Sequence, residues 1–336
     1  MKAHLLTKSI LTLLIATAFT LCRAEDKPKP PPVTPPTQAE LRTVISKSLG
    51  FLAKEGDDWM SAKNCNGCHH MPELIWSHRE AKLRGFEVDS KKFDEWLAWA
   101  VERATDKKPG LEEAAFMILA MPERSAPDLT KLLAAEQKPD GTWTPGGQFS
   151  SMQKRGAPDA QANSVRINLL ALGTAKQSNA EADAARTKAA AVLQKKDQPT
   201  ATESLVYRML YARQSGKPEE VDSIRAELLK QQRGDGGWSS YIGENMSDPL
   251  ATGQVLYALQ PSATDPPTAS AIANAQKWLL GTQRENGSWP IDITHISKVD
   301  RSGSAKAKSF KDATGIYTYW GSAWATIGLL QGVPVK

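Results

Sequence analysis

Three short segments of this chain repeat one another, and the repeat limits what the chain can fold into. Glu136 to Trp143 reads EQKPDGTW, Gln231 to Trp238 reads QQRGDGGW, and Thr282 to Trp289 reads TQRENGSW. Each follows an apolar pattern of helical period, and each runs from Gln through Asp-Gly or Asn-Gly to Trp. The Asp-Gly or Asn-Gly pair is turn chemistry, because Gly takes positive φ at little cost. The spacing predicts that Gln137, Gln232 and Gln283 cap helix ends. Trp143, Trp238 and Trp289 then close the turns against the neighbouring hairpin, as structural staples and not as ligand contacts.

Around these turns the helical patterns fall in pairs. LRTVISKSLGFLAKE precedes PELIWSHREAKLRG, KKFDEWLAWAVERAT precedes GLEEAAFMILAM, and APDLTKLLAAEQK precedes DAQANSVRINLLALG. The later pairs end in TATESLVYRMLYARQ, DPLATGQVLYALQ and TYWGSAWATIGLLQG. The first member of each pair is amphipathic, while the second is richer in Ala, Gly and apolar residues and opens after Asp, Thr or Ser. That contrast predicts an outer and an inner helical layer. Six such pairs close into an all-α ring, an α/α toroid of the α6/α6 type, as a single domain over residues 38–336.

The Gln…Gly-x-Trp turns resemble the QW motifs of the squalene-hopene cyclase family. The openings DPLATGQVLYAL and YWGSAWATIGLL are similar to inner helices of the same family, within the terpenoid cyclase and protein prenyltransferase α/α-toroid superfamily. The turn near Gln194 has lost its Gly-x-Trp. The resemblance implies the toroid, but the family's chemistry does not follow from it. The Asp-x-Asp-Asp acid of squalene-type cyclases is absent, and GDDW at Gly56 to Trp59 has the wrong pattern. Prenyltransferase β-subunits hold zinc with Asp, Cys and His from the ring, whereas Cys65 and Cys68 here precede the first inner helix. Glu73, Glu112, Glu113, Glu203 and Asp248 stand near inner-helix starts, where acid–base work and N-terminal capping are both open readings.

The N-terminus has the pattern of a secretory signal peptide over residues 1–24. MKAHLLTK is basic, Ser9 to Leu21 is a short apolar run, and cleavage fits after Ala24. A lipoprotein anchored through Cys22 is disfavoured, since FTL before it lacks the small residues expected there. KPKPPPVTPPT follows in a Pro-rich linker, 25–37, that should be extended. With no other long apolar run, the mature chain is expected to be exported, periplasmic, and without a membrane span. The 336 residues carry a net charge of +5, spread along the chain. Short clusters such as Lys306 to Lys311 lack interleaved aromatics, which excludes nucleic acid as a partner.

The segment SAKNCNGCHHMPELIW, with its loop at 60–72, carries the chemistry. Cys65-Asn-Gly-Cys68-His69 fits the c-type haem attachment pattern: two thiols add across the vinyl groups, and the adjacent histidine supplies the proximal nitrogen to iron. It also resembles Cys-x-x-Cys-His-His haem sites of some exported bacterial multidomain proteins. One covalent haem c is therefore the expected cofactor. Zinc on Cys65, Cys68, His69 or His70, and His78 remains open, as does a Cys65–Cys68 disulfide. A thioredoxin-like dithiol would need strands that the pattern lacks. For the opposite face of the iron, Met152, Met246 and His295 stand in long outer-to-inner connections, and His295 ranks first because its connection runs to about 35 residues. His70 and Met71 point the wrong way.

These features predict an exported haem protein for electron transfer or redox sensing, with a redox partner protein. A haem-dependent or cyclase-like enzyme acting on an isoprenoid or lipid is the second reading. There the cavity would take an apolar small molecule between Trp76, Tyr207, Tyr211, Tyr257, Trp320 and Trp324. A zinc-stabilised interaction protein is the third.

Overall fold

A computed structural model describes residues 34–63, 65–67, 69–106, 111–124, 127–175, 179–193, 199–262, 265–296 and 306–336. The signal and most of the linker, Cys22, Asn64, Cys68 and the degenerate turn at Gln194 lie outside the described residues. The outer helices are α1 (Gln38–Ala62), α3 (Ser90–Asp106), α5 (Pro127–Ala135), α7 (Ala180–Val192), α9 (Pro218–Gln231) and α11 (Pro266–Thr282). The inner helices are α2 (Met71–Leu83), α4 (Leu111–Ala120), α6 (Ala157–Thr174), α8 (Thr202–Gln214), α10 (Pro249–Leu259) and α13 (Lys306–Leu330). A short α12 (Ile293–Ile296) precedes α13. The described residues form no strand; Ala201 and Tyr241 make an isolated bridge.

Each inner helix packs on the next in chain order, and α13 packs back on α2, so the inner layer is a closed ring. The chain is an α/α toroid. Its helix starts follow local chemistry. Thr37 and Glu40 make a reciprocal capping box at α1, and Asp248 accepts the Ala251 N–H at 2.8 Å at the head of α10. At the seam of α10 against α13, Gly253 lies against the backbone of Trp324 and Ala325 and Gly328 against that of Gly253, so any side chain at either would force the helices apart. The connection expected to run loosely to Tyr319 is shorter, because α13 begins at Lys306, where Ala, Lys and Phe continue the helix.

The three repeated turns have one geometry. The turn glycines Gly141, Gly236 and Gly287 have φ of 85°, 98° and 87°. Each also lies against a backbone carbonyl of the next outer helix, where a Cβ on Gly141 would come within 2.8 Å of Lys188 O. Gln137 Nε2 donates to Gly141 O within its turn and to Ala185 O of α7, at 3.0 and 2.9 Å. Gln232 repeats this with Gly236 O and Ala271 O of α11. Gln283 donates to Gly287 O and, at 2.9 Å, to Val44 O of α1, joining the last outer helix to the first. Trp143, Trp238 and Trp289 are buried, and their indole N–H groups donate to Leu133, Leu228 and Leu279 O of their own outer helices. Gln232 and Gln283 are the C-caps of α9 and α11, as the spacing predicts, and each amide also reaches the neighbouring outer helix, while the indole N–H bonds the tryptophan's own outer helix. The reason is reach: the amide projects from the helix end, while the indole folds back over the last turn.

Gln283→Ala removes both bonds at the ring's closing seam, including the extra donor to Val44 O beyond that of its own helix. It should lower unfolding free energy by about 1–3 kcal/mol in urea titrations. A change under about 0.3 kcal/mol would show that the seam does not depend on this residue.

Candidate functional site

All outer-to-inner connections emerge on one rim, beside the N-termini of the inner helices. Cys65, Asn66, Gly67, His69 and His70 belong to this rim, and their backbone is pinned from several sides. Trp59 Nε1 donates to Cys65 O at 2.7 Å, Asn66 Nδ2 donates to Ala100 O at 2.8 Å, and Met71 N donates to Asn66 O. Cys65 is exposed. His69 is buried, with its ring 5.7 Å from Trp59 and 6.3 Å from Trp320. Burial lowers its pKa to about 4, so the imidazole is neutral, the form that ligates metals. His70 is sandwiched between Trp59 at 3.8 Å and Tyr319 at 4.1 Å, which makes it a packing residue. The donor types present, an exposed thiol and a neutral buried imidazole on a pinned loop, fit a c-type haem. His78 shares a hydrogen bond with Leu74 O through Nδ1 and lies edge-on to Trp96. Among the described residues no three His, Cys, Asp or Glu converge on one point.

The candidates for the sixth ligand separate. Met152 closes a π-helical turn, Gln148–Met152, and its carbonyl accepts from Tyr317 OH. Tyr317 lies 5.9 Å from Trp320, the residue that also borders His69. α12, which contains His295, is tied to the same strap: Lys154 N donates to Ile296 O at 2.8 Å. The His295 side chain lies outside the described residues. Met246 is exposed and lines a different cleft, with Tyr241, Trp278 and Trp289.

At the opposite end the ring opens into a cavity of about 350 Å³, lined from all six inner helices. Trp76, Tyr207, Tyr257 and Trp324 form its aromatic wall, with Ile167 and Leu170 beside them. Tyr211 and Trp320 do not line it. Tyr211 borders a small outer cleft with Arg166 and Arg208, and Trp320 faces His69. Inner helices are apolar on most faces, so periodicity alone could not assign these two.

Between the cavity and the rim lies a buried polar cluster. Glu203 pairs with Arg155 at 2.5 Å and accepts from Tyr207 OH and Gln254 Nε2, both at 3.1 Å. Arg155 also stacks over Phe149, 5.0 Å from the ring centre. Glu73 is fully buried, and neither carboxylate oxygen has a hydrogen-bond partner. Burial first, and the Glu203 charge with it, push its pKa well up, so Glu73 is protonated. Glu112 accepts from Gly146 N, and burial raises its pKa to about 7. Glu113 is likewise raised to about 7 by burial, partly offset by a hydrogen bond with Asn66. Asp248 does the work of a helix cap, accepting from Ala251 N and Ser240 N, with burial raising its pKa to about 6. Sequence reasoning missed Arg155, which stands in a connection with no motif around it.

A carboxyl whose pKa is raised on folding stabilises the fold fully below its unfolded pKa, and that contribution is lost as pH rises through the folded value. For Glu112 the loss falls between about pH 4.5 and about 7. Glu112→Gln keeps an acceptor for Gly146 N and never ionises. The stability of this variant relative to the parent should therefore increase from pH 5 to pH 8 in denaturant titrations. A pH-independent difference would contradict the raised pKa.

No protein-family model matches the chain, and no curated protein matches it. Solved structures do. The type II terpene cyclase MstE from Scytonema superposes with a TM-score of 0.53 at 14% identity, over 88% of this chain and 99% of the cyclase. A possible GH105 family member from Salmonella enterica serovar Paratyphi A gives 0.57 at 12%, over 89% and 94%. A polysaccharide lyase gives 0.55 at 10%, over 88% and 97%. At these identities the likeness is one of fold, and the fold it bears on is the α/α toroid.

Proposed function

We propose that the chain is an exported c-type haem protein, serving electron transfer or redox sensing, whose toroid also offers a chamber to an apolar small molecule. The observation that carries the reading is the Cys65-Asn-Gly-Cys68-His69 motif built into the ring's first connection, with His69 buried among aromatic rings. In this reading Cys65 and Cys68 hold the group by thioether bonds and His69 is the proximal ligand. When bound, a c-type haem supplies a one-electron iron centre. The pinned loop fixes the imidazole, and Trp59 and Trp320 keep water from it. The residues 1–24 supply the export that covalent attachment requires.

The enzyme reading is favoured by a separate observation, an aromatic cavity behind which a protonated carboxyl, Glu73, stands without a partner. MstE has been solved with geranylgeranyl dihydroxybenzoate as substrate. A cyclase-like reaction here would need an acid other than the missing Asp-x-Asp-Asp, and would proceed on an isoprenoid or lipid.

The mature chain, produced alongside a cytochrome c maturation system, should keep one haem per chain after denaturation, and Cys65→Ala should lower that retention severalfold. A denatured spectrum without haem overturns the proposal. With haem in place, His295→Ala should abolish the low-spin signature while Met246→Ala leaves it. An unchanged His295→Ala spectrum moves the assignment to Met152.

A further inference from the structure

The inside of the ring is graded along its axis, and the grading is written in four of the six inner helices. On α2, Glu73 stands one turn before Trp76, a cavity-lining residue. On α8, Glu203 precedes Tyr207, Leu210 and Gln214 at intervals of four, three and four, all on one face. On α6, Asn163 precedes Ile167, Leu170 and Thr174 in the same rhythm, and on α10 Gln254 precedes Tyr257. The bore is thus polar toward the rim and walled by aromatic rings beyond it, with Thr174, Arg213, Gln214 and Gln331 around its open end. Tyr207 joins the halves: its ring lines the cavity and its hydroxyl donates to Glu203.

The polar half has hydrogen-bonding capacity left over. Both oxygens of Glu73 and both amide atoms of Gln148 are buried without partners, as are Asn163 Oδ1 and the indole N–H of Trp324 in the cavity wall. Buried polar groups without partners cost free energy, and a cluster of them beside a cavity is a ligand's recognition surface. Its charge is also defined. Glu203 and Arg155 neutralise one another, and burial keeps Glu73 as a neutral acid. At the Glu73 end a charged head would have no counter-ion and would lose its hydration, since the cavity's one lining arginine, Arg213, stands toward the open end.

We propose that the bore binds an amphiphile with an uncharged oxygen head, a hydroxyl or carbonyl, directed at Glu73, and an apolar body between Trp76, Tyr257 and Trp324. This rests on the reading of the bore as a ligand chamber and adds the class of ligand. It is independent of whether haem is attached.

Calorimetry of the mature chain with 1-dodecanol, dodecanoate and dodecylammonium below their micellar concentrations tests it. The alcohol should bind at least about tenfold more tightly than either ion. Glu73→Leu, which removes an unsatisfied buried group and should fold at least as stably, should weaken the alcohol about fivefold or more. Glu73→Gln should retain most of the affinity, and Ile167→Trp, which fills the bore, should abolish binding. An ion binding as tightly as the alcohol, or Glu73→Leu without effect, overturns the proposal while leaving the chamber. Binding that survives Ile167→Trp, or no binding by any of the three, overturns the chamber as well.

Discussion

The side-chain amide of Gln283 donates to the carbonyl of Val44, 239 residues earlier in the chain, and with that bond the outer layer of the ring closes. Gln137 and Gln232 make the same bond to the next outer helix at earlier turns. One amide holds its own turn and the neighbouring helix at once, and a glycine of positive φ lets the two backbones meet. A ring built this way needs few bonds of long sequence range. Its inner helices are then held at fixed rotation about their axes, which decides which side chains face the bore.

That fixed rotation gives the interior its chemistry. Four of the inner helices, α2, α6, α8 and α10, bring a polar residue of their first turns and an apolar residue further along to the same face. The outcome is a bore with acids, amides and one arginine at the rim and aromatic rings beyond them. The Cys-x-x-Cys-His loop enters at the polar rim, because it occupies the first of the outer-to-inner connections. The cofactor proposed there and the ligand proposed in the bore are therefore neighbours by topology, with Trp320 on the His69 side of α13 and Trp324, one turn later, on the cavity side.

The ring was legible in the sequence because its signals are local: helical period, N-capping residues, and a turn that repeats three times. The axial grading was also written there, as Glu203, Tyr207 and Leu210 at helical spacing, but it becomes readable only once the inward face of each helix is known. Tyr211 illustrates the limit, sitting on an inner helix yet facing outward. Arg155 was out of reach for another reason. It comes from a connection, and only the closed ring carries it to Glu203. The second bond of each glutamine, to the neighbouring outer helix, likewise depends on which helix lies alongside, a fact of packing and not of period. For the carboxylates the sequence left capping and acid–base readings open. The structure separates them: Asp248 caps a helix, while Glu73 has no partner within the fold.

The most direct test of the account joins its two halves, a haem at the polar rim and an amphiphile whose head points toward it. Nuclear magnetic resonance of carbon-13-labelled dodecanol bound to the ferric, haem-loaded chain reads this from paramagnetic relaxation along the ligand. The account predicts enhancement that is strongest at the carbon bearing the hydroxyl and falls steadily toward the terminal methyl. Uniform enhancement, or a gradient of the opposite sense, would contradict it.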